Sequence, residues 1–132
     1  FTVTRMLATD EGKFQGGDDT APTPLEFFLT GLVGCLMTQV RVFARRLKVE
    51  VDDVKVLCRA RWEAHPDDIG PYQGSPVGFE IDVDVTSAAD PDRVAELVSA
   101  ARRGCFVEQT LTRANAIEHT LKINGTAWQE DK

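Results

Sequence analysis

The stretch TPLEFFLTGLVGCLMTQVRVFARR, Thr23 to Arg46, constrains this chain more than any other. Pro24 suits the first turn of a helix, Thr23 suits an N-cap, and Glu26 completes a T-x-x-E capping box. The pattern predicts one helix over residues 23–48. Its first half is apolar nearly all round, which predicts burial on most faces. The second half is amphipathic and gathers Arg41, Arg45, Arg46 and Lys48 near the C-terminus, where cations suit the macrodipole. The apolar run from Phe27 to Met37 is bracketed by Glu26 and Arg41 and covers about two-thirds of a bilayer span, so a buried helix and no membrane are expected. Gly31 and Gly34 each cost roughly 1 kcal/mol relative to Ala in a helix interior. Tolerated there, they point to close approach by another backbone or a ligand.

Strands and two further helices surround this element. Residues 1–8 alternate weakly and are expected as an N-terminal strand. Residues 9–22, rich in glycine and proline, read as a loop. In VKVLCRARWEA, Val54, Val56, Cys58, Ala60 and Trp62 alternate with charged residues, which predicts a strand over 51–64. GFEIDVDVTS predicts a second over 77–87 with Phe79, Ile81, Val83 and Val85 inward. Asp90-Pro91 opens a helix over 90–103, with Val94, Leu97, Val98 and Ala101 at core spacing. Gly104 breaks it, a short helix over 105–114 begins at Cys105, and residues 116–125 form a closing strand with His119 on its inward face. Two alternating strands in succession predict an α+β fold with mainly antiparallel strands.

The 132 residues form one domain, 1–132, large enough to bury roughly two-thirds of its unfolded surface. The balance is acidic, 21 Asp and Glu against 15 Lys and Arg, with no basic patch interleaved with aromatics, so no nucleic acid is expected as partner. Three cysteines are a poor disulfide framework, and no signal peptide is visible. A reducing, cytoplasmic setting is expected.

Those cysteines carry what chemistry the sequence offers. No C-x-x-C, H-x-x-x-H or H-E-x-x-H pairing is present, so no metal is expected. Nothing local supports a Cys-His-Asp hydrolase. Cys58 occupies an inward slot of a strand and reads as packing. Cys105 follows a glycine and opens a helix, where free N–H groups favour a thiolate and lower a thiol pKa. Cys35 lies mid-helix, where no dipole helps, so reaction near neutral pH calls for a cation or strong donor within a few ångströms.

PTPLEFFLTGLVGC, followed about seventy residues later by CFVEQTL, resembles the OsmC/Ohr family of thiol-dependent organic hydroperoxide reductases, in its OsmC-like branch. Cys105, Val107, Thr110 and Leu111 reproduce the family's C-x-V-x-x-T-L context. The resemblance covers essentially the whole chain. It implies an α+β, OsmC-like fold with long buried central helices, and an intertwined homodimer with its sites at the interface. It implies Cys35 as the peroxidatic cysteine, oxidised by an organic hydroperoxide to a sulfenic acid, and Cys105 as the resolving cysteine that forms a disulfide with it. An external dithiol, lipoyl in characterised members, would reduce that disulfide; no bound cofactor is implied. The Ohr branch has a catalytic Glu ten residues before the first cysteine; here that position is Leu25, and Glu26 lies at nine. Glu26 is thus either the capping residue or a catalytic one. The family draws an activating arginine from the N-terminal region, where Arg5 stands alone; Arg5 is either that cation, held by Glu26, or a solvated strand residue. The alternative function is a non-enzymatic dimer that binds a hydrophobic ligand at the interface.

Overall fold

The computed structural model describes Thr2 and residues 4–129. Thr2 and residues 4–8 form no strand, which corrects the expectation over 1–8; Phe1 and Val3 of that segment lie outside the described residues. Extended backbone needs a neighbour to satisfy its N–H and C=O groups, and no described strand pairs with this segment.

Residues 9–22 are a compact loop containing a 3-10 turn at Lys13–Gln15. Asp10 organises it by accepting from the Thr20 N–H (2.9 Å), the Thr20 hydroxyl (2.7 Å), and the N–H groups of Glu11 (2.9 Å) and Asp18 (3.2 Å). These donors, the Thr20 N–H foremost, hold the Asp10 carboxyl below its usual range. Gly17 passes so near the Glu11 carbonyl that a Cβ would collide with backbone. The loop ends at Thr23, where α1 begins.

Helix α1 spans Pro24–Leu47 and opens with a complete capping box: Glu26 N–H donates to Thr23 Oγ1 (3.2 Å) and Thr23 N–H donates to Glu26 Oε1 (3.3 Å). Leu32, Leu36, Val40 and Ala44, spaced by four, form its buried stripe. The rest of the apolar surface is more open than the sequence predicts, with Leu25 48% and Phe28 41% exposed. A Cβ at Gly31 or Gly34 would meet nothing within 4 Å, so the close approach expected there is not made within this chain. The reason is geometric: the elements that pack on α1 (two helices and one hairpin) cover one side of it. By length and composition alone α1 could cross a membrane; here its stripe forms the centre of the core.

Strands β1 (Asp53–His65) and β2 (Gln73–Thr86) pair antiparallel, with Val54 opposite Val85, Val56 opposite Val83, Cys58 opposite Ile81 and Ala60 opposite Phe79. The alternation read from the sequence appears as half-buried residues facing α1 and exposed charged ones facing away. Pairing extends past the expected start of the second strand because the register shifts between Arg61 and Trp62, setting Gly78 and then Pro76 opposite them and leaving Val77 over. A bulge of this kind accommodates a proline that cannot donate to the ladder. At that end Trp62, Phe79 and Phe28 form an aromatic cluster with centroids 5.6 to 6.2 Å apart.

Helix α2 spans Pro91–Gly104, capped by Asp90 accepting from Asp92 N–H (2.8 Å), and buries Leu97 and Ala101 against α1. Helix α3, Phe106–Leu111, is shorter than the expected 105–114, and Cys105 is its N-cap rather than its first turn. The single closing strand expected over 116–125 is instead a small hairpin of β3 (Leu121–Ile123) and β4 (Thr126–Trp128). Asn124 and Gly125, both at positive φ (52° and 82°), make its two-residue turn. The molecule is a mixed helix and sheet fold whose two sheets are both antiparallel.

Candidate functional site

Cys35 sits on α1 one residue before Leu36 of the buried stripe and is half-buried. Cys105 reaches it because α2 stops at Gly104, where a Cβ would lie only 2.6 Å from Cζ of Phe43 on α1. Glycine thus lets the end of α2 close onto α1, and Cys105 enters the core with no exposed surface. Both cysteines are free thiols. They are near enough that the Cys35 thiol helps to raise the Cys105 pKa, by hydrogen bonding and by charge.

Burial is the largest cause of that rise, opposed by the Glu108 N–H, which donates to Cys105 Sγ at 3.4 Å. The expectation that a helix start would lower the Cys105 pKa is therefore reversed. One long N–H contact from a helix of six residues does not offset complete desolvation. Burial thus favours the neutral thiol form of Cys105.

Sequence reasoning missed two residues beside this pair. Arg102 of α2 donates from Nε to Oε1 of Glu108 on α3 at 2.9 Å. Glu108 is the one buried charged residue among the described residues, 7% exposed, and its Oε2 has no hydrogen-bond partner. Both residues line a cavity of about 440 Å³, which neither Cys35 nor Cys105 lines directly. Its apolar walls are Leu32 and Leu36 of α1, Phe79, Ile81 and Val83 of β2, and Val98 of α2. That volume and lining suit a small, largely apolar molecule. The sequence signal for the pair was weak, because a six-residue separation matches no helical repeat; only the break at Gly104 brings the two side chains together.

The other expected residues stand elsewhere. Arg5 is exposed in an irregular segment and makes no hydrogen bond or ion pair among the described residues. Glu26 is also exposed, and its Oε1 is occupied by the N–H and hydroxyl of Thr23 (3.3 and 3.0 Å), so the structure does not bring it onto Arg5. Cys58 is half-buried on β1, its pKa raised by burial, and borders a separate open groove with Val33 and Gly34. His65 meets Ser75 Oγ (3.1 Å) and Glu63 Oε2 (3.5 Å) at the far end of the hairpin. His119 is exposed in the irregular segment before β3, not inward on a strand. No group of three or more His, Cys, Asp or Glu suited to a metal occurs among the described residues.

The OsmC family model, described as OsmC-like protein, matches residues 16–120. Among solved structures, an OsmC-like hydroperoxide resistance protein from Jannaschia sp. CCS1 is 45% identical, with a TM-score of 0.75 over 92% of this chain and 76% of its own. An OsmC-like protein from Mycoplasma pneumoniae (15% identity, TM-score 0.63) covers 77% of this chain and 68% of its own. An organic hydroperoxide resistance protein OsmC from Legionella pneumophila (20%, TM-score 0.60) covers 77% and 70%. These two share the fold alone. A comparison with curated proteins finds no match.

Proposed function

We propose, from the premise that this chain belongs to the OsmC-like family, that it is a peroxidase reducing organic hydroperoxides through Cys35 and Cys105. One observation carries the reading: two free thiols 70 positions apart in the chain are brought together at the core, each next in sequence or by hydrogen bond to a residue, Leu36 and Glu108, that lines a largely apolar cavity. In the proposed cycle the Cys35 thiolate attacks the peroxide's distal oxygen. The O–O bond breaks, Cys35 becomes a sulfenic acid, and the alcohol leaves after taking up a proton. Cys105 then attacks the Cys35 sulfur; the S–S bond forms and the sulfenic oxygen departs as water. An external dithiol returns both cysteines to thiols and is itself oxidised to a disulfide. The full burial of Cys105 beside a half-buried Cys35 supports this division of roles, since the more open thiol is the one a peroxide can reach.

The apolar cavity favours alkyl or lipid hydroperoxides over hydrogen peroxide, because only they gain by burying hydrocarbon. No metal or bound cofactor is proposed, and the cytoplasm is the proposed setting. A homodimer is the proposed assembly, supported by the exposed apolar residues of α1 and the open space beside Gly31 and Gly34. Arg5 remains the proposed cation for Cys35, acting through such an assembly, with Glu26 as its proposed support in that setting. The second reading, a non-enzymatic binder of a hydrophobic ligand, is favoured by the cavity alone.

Reduced protein, cumene hydroperoxide and dithiothreitol or dihydrolipoate decide between them. Turnover that is lost in Cys35→Ser, and that halts after about one equivalent of peroxide in Cys105→Ser, is the expected result. Absence of turnover in the wild type, with retention of an apolar probe in the cavity, would favour the binder.

A further inference from the structure

A single residue, Cys105, joins α2 to α3, and its backbone is extended there (φ −76°, ψ 108°). Where its sulfur points therefore depends on how α3 is held against α2. Helix α3 has six residues, too few to keep its place by its own hydrogen bonds. Three contacts close a ring across the joint. The Arg102 carbonyl accepts from Cys105 N–H at 3.3 Å, Cys105 Sγ accepts from Glu108 N–H at 3.4 Å, and Glu108 Oε1 accepts from Arg102 Nε at 2.9 Å. Gln109 adds a link outside the ring, its Nε2 donating to the same Arg102 carbonyl at 3.1 Å. The ion pair is the shortest bond of the ring.

As a source of stability alone, this pair is poorly arranged. Glu108 is 7% exposed, and its Oε2 is buried with no donor among the described residues. Apolar side chains of similar volume would hold the two helices together as well or better. What a charge-assisted bond adds to apolar contact is a fixed distance and direction. We propose that Arg102 and Glu108 are positioning residues for the resolving thiol: their bond braces α3 against α2 and so aims the Cys105 sulfur at Cys35. The role rests on the peroxidase reading above, whose second step it serves. In that step Cys105–SH attacks the sulfur of Cys35–SOH. The S–S bond forms, the S–O bond breaks, and the thiol proton leaves with the departing oxygen as water. A disulfide accepts only a narrow range of sulfur positions, so a sulfur held in place reacts faster than one free to swing.

The double variant Arg102→Met, Glu108→Met keeps the bulk of the pair and removes its bond. Reduced protein mixed with cumene hydroperoxide, quenched over time and analysed by mass spectrometry, counts Cys35 sulfenic acid and disulfide separately. The first rate scales with peroxide concentration and the second does not, so any change in peroxide binding leaves the second rate readable. The double variant is expected to form the disulfide about a hundredfold more slowly. Glu108→Gln, whose amide oxygen still accepts from Arg102, should recover most of that rate. A double variant as fast as the wild type overturns the proposal, and so does Glu108→Gln as slow as the double variant. Should the double variant fail to fold, by circular dichroism, Arg102→Ala decides on the same rate, its side chain being 61% exposed. A slow disulfide step there supports the brace and a wild-type step overturns it. Failure of the peroxidase reading looks different, since wild-type Cys35 would then form no sulfenic acid. Glutathione disulfide then replaces the peroxide: it leaves glutathione on Cys35 as a mixed disulfide, which Cys105 displaces as the free thiol. Slowed displacement in the double variant supports the brace, and equal displacement overturns it.

Discussion

The helical core and the C-terminal tail of this protein are built on opposite terms. Leu36, Val40, Leu97, Ala101 and Cys105 are each 1% exposed or less, interlocked between α1, α2 and the start of α3. Every residue from 112 to 129 is exposed, including Leu121, Ile123 and Trp128, although the last segment forms a regular hairpin. The core closes by itself, with Cys105 inside it and Cys35 packed half-buried against it. The tail has strands but no covered face, and a lone two-stranded hairpin is marginal in water. The same contrast divides α1, whose stripe is enclosed while Leu25 is half-exposed and both interior glycines face open space. Chemistry is positioned by the closed region, and assembly is asked of the open one.

The sharpest way to break this contrast is to ask whether the open surface stays open. We expect an obligate homodimer, since apolar residues left half-exposed on α1, β1 and the tail gain most from a second copy. Sedimentation at micromolar concentration should find no stable folded monomer. A folded monomer that survives dilution would mean the core alone suffices and the intertwined arrangement is wrong.

The next largest effect compares one truncation in the two regions. Leu97→Ala removes a fully buried side chain on α2 and is expected to cost about 2–5 kcal/mol. Leu121→Ala, at a site 53% exposed in β3, should cost less than about 1 kcal/mol within the isolated chain. Urea unfolding of both variants measures the difference. A tail substitution as costly as the core one would show that Leu121 is covered in the assembled molecule.

The closed region was also the more legible one. A capping box, a one-sided alternation and core spacing in α2 are local patterns, and each found a face to bury within the chain. The tail misled because Ile117, His119, Leu121 and Ile123 alternate as a half-buried strand does, yet nothing in the chain covers them. Asn124-Gly125 was the overlooked signal, a dipeptide that tolerates the paired positive φ of a tight hairpin. Both cysteines of the pair were visible as candidates, whereas Arg102 and Glu108 were not. Their pairing depends on how one helix stops and the next begins, which no periodicity encodes.

A smaller effect follows from Cys105 being neutral in the core. Burial, with the Cys35 thiol adding to it, raises its pKa above the unfolded value of about 8.5. The folded state therefore binds this proton more tightly, and the associated stability is complete below the unfolded pKa. It is lost as pH rises through the higher folded value. Cys58, raised by burial on β1, acts in the same direction. Denaturation midpoints in reducing buffer should decline on the alkaline side, and Cys105→Ala should flatten that decline while leaving the Cys58 share. An identical slope in the variant would remove Cys105 from the account.

The smallest effect lies on the outer face of the β1–β2 hairpin, which is open like the tail but polar. Arg59 donates to Asp82 at 2.8 Å and lies 3.6 Å from Glu80, with side-chain exposures of 58%, 64% and 77%. Glu80 stands directly opposite Arg59, and Asp82, opposite Leu57, is its diagonal neighbour two positions along, so a single guanidinium bridges a directly opposed and a diagonal carboxylate. Water and salt screen such pairs, and ordering long side chains offsets much of the attraction, so Arg59→Ala should cost at most about 1 kcal/mol. The cost should shrink further in high salt. What register the hairpin keeps without Arg59 is set by the inner pairs Cys58–Ile81 and Ala60–Phe79, because slipping by one residue would turn them outward. A large, salt-insensitive loss would mean this face is buried against another surface, and would extend the assembly interface from the tail to the back of the sheet.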